Sequence, residues 1–149
     1  MKRVKGGRKV IRGQISASSY QNKIQLFDGK FTTGYRIVDF EFMPKDPQSG
    51  LEYLIKVSTK AKSNLAEFNW DDVEEIAWGI YNTPIASRFG TDVTIDPENM
   101  TIEDLFISVY TTGESGHSMN YQLTLEKYEF TAWDGAATMV KNQSQSGPA

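Results

Sequence analysis

The chain has 149 residues, 39% of them hydrophobic and 12% aromatic, which suits one globular domain with a core of its own. It has no cysteine, which excludes disulfides, thiolate nucleophiles and cysteine-based metal sites, and no apolar run approaches the ~18 residues of a membrane span. The net charge of −3 hides an asymmetry: six of the 16 basic residues fall in the first twelve positions with no acid among them, leaving ten basic against 19 acidic residues, or −9, for the rest.

Residues 1–9 read as a basic arm, polar and carrying the pair Gly6-Gly7, mobile unless docked. Its cations, with one more just beyond, are Lys2, Arg3, Lys5, Arg8, Lys9 and Arg12. Nothing apolar follows the charges as it does in a secretory signal, so the sequons at Asn99 and Asn142 read as chance matches. A first strand is expected from Val10 to Ser16, with Ile11, Gly13 and Ile15 on one side and Arg12 and Gln14 on the other. Lys23 to Phe27 is a short strand, and Asp28-Gly29 after it is a strong type I′ hairpin signal, because both residues tolerate φ > 0. From Phe31 the chain returns, with Gly34 marking a bulge; Val38, Phe40 and Phe42 then alternate with Asp39 and Glu41.

Leu51, Tyr53, Ile55 and Val57 alternate with Glu52, Lys56 and Ser58 to form the next strand, and residues 60–72 form a long polar loop. A strand from Glu74 to Tyr81 puts Ile76, Trp78 and Ile80 on one face, with Trp78 in the core. Residues 85–99 show only a short strand at Asp92 to Ile95. Ile102–Thr111 and Met119–Phe130 are long strands, expected to pair as a hairpin. Near Glu126 the pattern changes phase, since Tyr128 and Phe130 move to the opposite face, which requires a bulge or a change of buried side. Asp134 caps a short helix through Ala136, Ala137, Met139 and Val140, followed by a polar tail.

The sequence holds no catalytic constellation. His117 is the only histidine and sits in a Gly/Ser loop that fails the nucleophile-elbow spacing. The acid-rich stretches Asp92–Asp104 and Asp71–Glu75 lack the calcium-loop spacing and read as solvated loop acids. Gly6-Gly7 lacks the phosphate-loop order. The chain is therefore read as a non-enzyme with no cofactor and no metal. Trp70 and Trp133 lie in loop-like stretches, where each serves either as a subunit contact or as a sugar-stacking platform.

Seven or eight strands and no long helical pattern define an all-β, antiparallel β-sandwich, of which the jelly roll is one form. The organisation is a basic N-terminal arm at 1–9, a sandwich domain at 10–133 and a C-terminal tail at 134–149. The stretches Thr101–Tyr110 and Met119–Tyr128 resemble small β-sandwich virion structural proteins of marine phages and viruses. That resemblance implies a capsid or other virion component, located in the virion, that assembles with itself or with other virion proteins. In that setting the arm contacts genomic nucleic acid or an acidic neighbouring subunit, and both polar ends take up order on other molecules. No membrane partner is implied. The rival reading is a carbohydrate-binding module or lectin-like domain using Trp70 or Trp133.

Overall fold

A computed structural model of the chain describes residues 2–16, 21–46, 51–63, 67–82, 90–111 and 118–131, together with Trp133 and Ala137. Eight strands follow one another: β1 (Lys2–Ile15), β2 (Gln21–Ile24), β3 (Thr33–Pro44), β4 (Glu52–Ser58), β5 (Glu75–Asn82), β6 (Gly90–Ile95), β7 (Leu105–Thr111) and β8 (Met119–Glu129). They form two antiparallel sheets in the orders β1-β8-β3 and β2-β7-β4-β5-β6, packed face to face as a β-sandwich.

The core follows from strand alternation. Tyr53, Ile55 and Val57 of β4 and Leu105, Ile107 and Val109 of β7 face Ile15, Phe40, Phe42, Leu123 and Leu125 of the smaller sheet, all within one cluster. Each such side chain contributes roughly 1.5–3 kcal/mol when removed from water. Gly79 of β5 is part of this fit: a Cβ there would overlap the Phe42 ring, so the missing side chain admits a phenylalanine from the opposite sheet.

Several sequence expectations change in three dimensions. Asp28-Gly29 does not close a hairpin, because β2 pairs with β7 and β3 with β8. Only Gly29 has positive φ there, and the Asp28 carboxylate accepts the Lys30 N–H at 2.9 Å, so the turn carries the chain between sheets. β7 and β8 likewise belong to different sheets. The bulge in β3 lies at Val38, which has no ladder partner and is exposed, whereas Gly34 leaves room for the Phe130 ring.

Trp78 is buried, but on the outer face of the five-stranded sheet: its ladder partner is Lys56, while Ala77, Gly79 and Tyr81 pair with the core residues Val57, Ile55 and Tyr53. The phase change in β8 is a change of buried side. The strand stays between β1 and β3 along its length, and Phe130, backed by Tyr128, packs on Met100 and Ile102 in a second small cluster.

That cluster is held by the β6–β7 connection, which crosses to the edge of β3. Thr101 and Tyr35 exchange backbone hydrogen bonds of 2.8 and 2.9 Å. Asn99 uses its side-chain amide as a substitute strand: its Oδ1 accepts the Ile37 N–H at 2.7 Å and its Nδ2 donates to the Ile37 carbonyl at 3.0 Å. A side-chain amide has the donor and acceptor of a peptide group, so it satisfies an edge that β6 itself does not pair.

Candidate functional site

The six cations expected on a mobile arm are ordered by their own chain. β1 begins at Lys2, and Lys2 and Arg3 lie opposite Glu129 and Tyr128 of β8. The arm is thus the outer half of an edge strand, and its order is no argument for a partner. The sequence concealed this because the outer half is polar on both faces, with no alternation to mark a strand. Lys2, Arg3, Lys5, Arg8, Lys9 and Arg12 are all exposed, and β1 has no neighbour on its other side among the described residues.

A bulge divides β1. Arg3 faces Tyr128 and Arg8 faces Glu126, so Val4, Lys5, Gly6 and Gly7 stand against the single residue Lys127. The Gly6-Gly7 pair now has its explanation. Gly6 takes φ of +74°, in the left-handed region, and a Cβ on Gly7 would press within 2.9 Å of the Lys127 Cβ. The bulge encloses a small concavity of about 110 Å³ lined by Arg3, Lys5, Arg8 and Glu126. Arg3 reaches across it to Glu126 at 3.0 Å. Glu126 lies between Arg8 of β1 and Arg36 of β3 in the ladders, and the Arg36 guanidinium sits 5.0 Å from the centre of the Tyr128 ring.

Residues 67–74, between β4 and β5, lie over the outer face of the larger sheet, and Asp72, Glu74 and Glu75 are buried rather than solvated, while Asp71 is exposed. Lys56 and Glu75 pair at 3.3 Å with both side chains 1% exposed. Lys56 also donates to the Glu67 carbonyl, and Glu75 accepts from the Asn69 N–H, the Asn69 amide and Trp78 Nε1. Lys62 bridges Asp72 at 2.7 Å and Glu74 at 2.6 Å. Burial works against charge on Lys62, yet hydrogen bonds and charge from Asp72 and Glu74 prevail and hold its ammonium above its ordinary 10.5.

This network fixes the segment that carries Trp70, whose ring lies 5.5 Å from that of Trp78 and is 69% exposed. Trp133 is 80% exposed with helical backbone, as is the backbone of Ala137. The structure does not bring Trp70, Trp133 and the cations of β1 into one described site. His117, Asp134, Ala136, Met139 and Val140 lie outside the described residues.

Three of the five acids from Asp92 to Asp104 have structural partners, while Asp92 and Glu98 are exposed. Asp96 accepts the Glu98 N–H, Glu103 pairs with Lys60 at 2.8 Å, and Asp104 accepts the N–H groups of Leu26 and Phe27 and pairs with Lys23. Burial pushes the Asp104 carboxyl up, but those donors and Lys23 outweigh it and hold the group below its ordinary 3.8. A carboxylate depressed on folding stabilises the fold above its unfolded pKa and loses that effect as pH falls through its folded one. Urea midpoints should therefore drop between about pH 5 and pH 2, less steeply in Asp104→Asn. Equal slopes in the two proteins would remove Asp104 as the cause.

An open cleft of about 770 Å³ takes its walls from both sheets, with Phe40, Phe42 and Tyr121 on one side and Val93 on the other. Burial raises the Tyr121 phenol pKa. Among the described residues no group of histidine and acidic side chains is arranged to hold a metal ion. No family model, curated protein or solved structure matches the chain.

Proposed function

We propose that the protein is a non-catalytic structural subunit of a virus particle, with a jelly-roll-like sandwich as its body and β1 as its assembly contact. The observation that carries this is the nesting of strand pairs. A jelly roll is an antiparallel ribbon rolled up so that first pairs with last, second with second-last, and so inward. Here β1 pairs with β8, β2 with β7 and β4 with β5. The remaining pair, β3 with β6, is replaced by Thr101 and Asn99, which bond to β3 just after β6 ends. The virion context is drawn from the resemblance of residues 101–128. Fold alone does not assign a function, so the contact must be argued separately.

β1 supplies that contact. The regular inner half of this edge strand, from Arg8 to Ile15, is a template for intermolecular pairing, and the six cations of the whole strand add a charge contact on a chain whose remaining residues carry −9. We read its occupant as the acidic surface of a second copy. Light scattering across protein and salt concentration tests this on nuclease-treated protein. Oligomers are expected, shifting towards monomer when residues 1–7 are removed, with the β-sheet circular dichroism retained. A monomer at every concentration and salt level would overturn the reading, as would assembly indifferent to the truncation. Electron microscopy of the native source should then find the protein in particles.

One observation favours the lectin-like reading instead. Trp70 presents a free ring face while Trp78 fixes it from behind, which is how a sugar-stacking aromatic is held rigid. A monomer that binds a glycan array, and loses binding in Trp70→Ala or Trp133→Ala, would decide for it.

A further inference from the structure

We propose that the bulge in β1 is a phosphate site through which the protein holds the backbone of a nucleic acid. The inference goes beyond the assembly reading by giving the outer half of β1 a second ligand besides the neighbouring copy. Five of the six cations, Lys2, Arg3, Lys5, Arg8 and Lys9, lie on that half, and the strand itself carries no acid. The bulge makes this half a poor template for another strand, because four residues opposite one break the ladder spacing that a neighbour would have to follow. The same irregularity builds a concavity. Left-handed Gly6 turns the chain where it is free of the ladder, the kind of backbone from which anion-holding nests are made.

Arg3, Lys5 and Arg8 line a space of about 110 Å³, suited to one phosphate group rather than to a base or a peptide segment. Arginine recognises phosphate through two parallel N–H donors, which makes it the stronger choice over lysine for such a site. Glu126 is the one acid in the lining. Against three cations it leaves the site at +2, and its pairing with Arg3 positions that guanidinium across the concavity while no anion is present. One ladder neighbour reinforces the field: Arg36, opposite Glu126 on β3. A phosphodiester chain repeats one charge per unit at regular spacing, matching a strand that offers cations along its length. The carboxylates of an acidic peptide sit on independent flexible stems and do not enter such a space as a series.

The experiment is fluorescence anisotropy of the full-length, nuclease-treated protein with a labelled single-stranded oligonucleotide, with polyglutamate as the acidic-peptide arm and inorganic phosphate as competitor. Wild-type protein should bind the oligonucleotide, with phosphate competing and polyglutamate at least tenfold weaker. The triple variant Arg3→Ala/Lys5→Ala/Arg8→Ala should lose affinity by tenfold or more, and its slope of log K against log salt should flatten by about 0.7, the value for one lost phosphate contact on a single strand. Gly6→Ala removes no charge and has open space around its Cβ, so it tests the backbone geometry alone and should lose severalfold. Arg12→Ala, beyond the bulge, should change little.

Absence of oligonucleotide binding, equal binding of polyglutamate, or a loss in Arg12→Ala as large as in the triple variant would overturn the site. If Gly6→Ala is poorly folded, the triple variant and the Arg12 control still decide. Failure here differs from failure of assembly: particles that form without binding oligonucleotide would sink the phosphate site and leave the subunit reading standing, while a monomer that binds oligonucleotide through the bulge would do the reverse.

Discussion

Replacing Glu75 by alanine is expected to destabilise the domain by roughly 3–5 kcal/mol, the range for removing one partner of a buried ion pair. Glu75 is the acceptor on which the outer layer converges. Lys56, the Asn69 N–H, the Asn69 amide and Trp78 Nε1 all donate to its two oxygens. Without it the Lys56 ammonium, 1% exposed, keeps the Glu67 carbonyl but loses its counter-charge. The Trp78 indole and the Asn69 amide lose an acceptor at the same time. Lys56→Met should cost less, because the Glu75 carboxylate would still receive three hydrogen bonds. The Lys56→Met/Glu75→Ala double variant should cost less than the two single changes together, since each single change leaves a charge the other removes.

Urea denaturation followed by far-UV circular dichroism measures these differences. Tryptophan emission should shift as well, because Glu75 positions Trp78 and Trp78 backs Trp70. A loss of less than about 1 kcal/mol for Glu75→Ala would mean that the pair is solvated.

The second large effect is expected at Asn99. Its side chain, 2% exposed in total, satisfies both backbone groups of Ile37 and also donates to the Asp96 carbonyl at 2.7 Å. Asn99→Ala removes three hydrogen bonds and leaves the Ile37 N–H and C=O facing a void, at about 1–3 kcal/mol for each unsatisfied buried group. A total of roughly 2–4 kcal/mol is expected, allowing for partial hydration of the opened edge. Asn99→Asp keeps the acceptor for the Ile37 N–H but sets a carboxylate against the Ile37 carbonyl, so it should not rescue the fold.

Native-state hydrogen exchange gives the local test. The Ile37 amide should exchange faster in Asn99→Ala, while amides in the centre of β4 should change only with global stability. Unchanged protection at Ile37 would show that the β3 edge is held by other contacts. The same geometry explains why the sequon at Asn99 is not a usable one in the folded protein: the nitrogen a glycan would occupy is engaged with Ile37 and Asp96.

The two regions differ in how they bear on function. The Lys56–Glu75 network is buried and secures the layer that presents Trp70, so its variants report on stability first. The cations of β1 are exposed, and changes there should leave stability nearly untouched while altering association. A protein whose assembly fails at unchanged stability therefore identifies β1, whereas one that fails through unfolding identifies the outer layer.

The sequence by itself determined seven of the strands and the inner half of β1, the antiparallel class and the location of the positive charge. Period-two alternation at Tyr53, Ile55 and Val57, or at Leu123 and Leu125, reports that one face of a strand is buried, and those residues form the core. Alternation does not report which strand lies alongside, so Asp28-Gly29 and the 112–118 connection looked like hairpins although each links different sheets. Nor does it report what covers the other face. Lys56, Glu75 and Trp78 are buried because residues 67–70 lie over them, a contact between segments that no local pattern encodes. The polar outer half of β1 could be placed on β8 only once β8 existed as a paired strand, and Gly6 and Gly7 became intelligible only with Lys127 beneath them. Local chemistry sets what each segment can do; the pairing of distant segments, whose hydrogen bonds and buried charges must all be satisfied together, decides which of those possibilities is used.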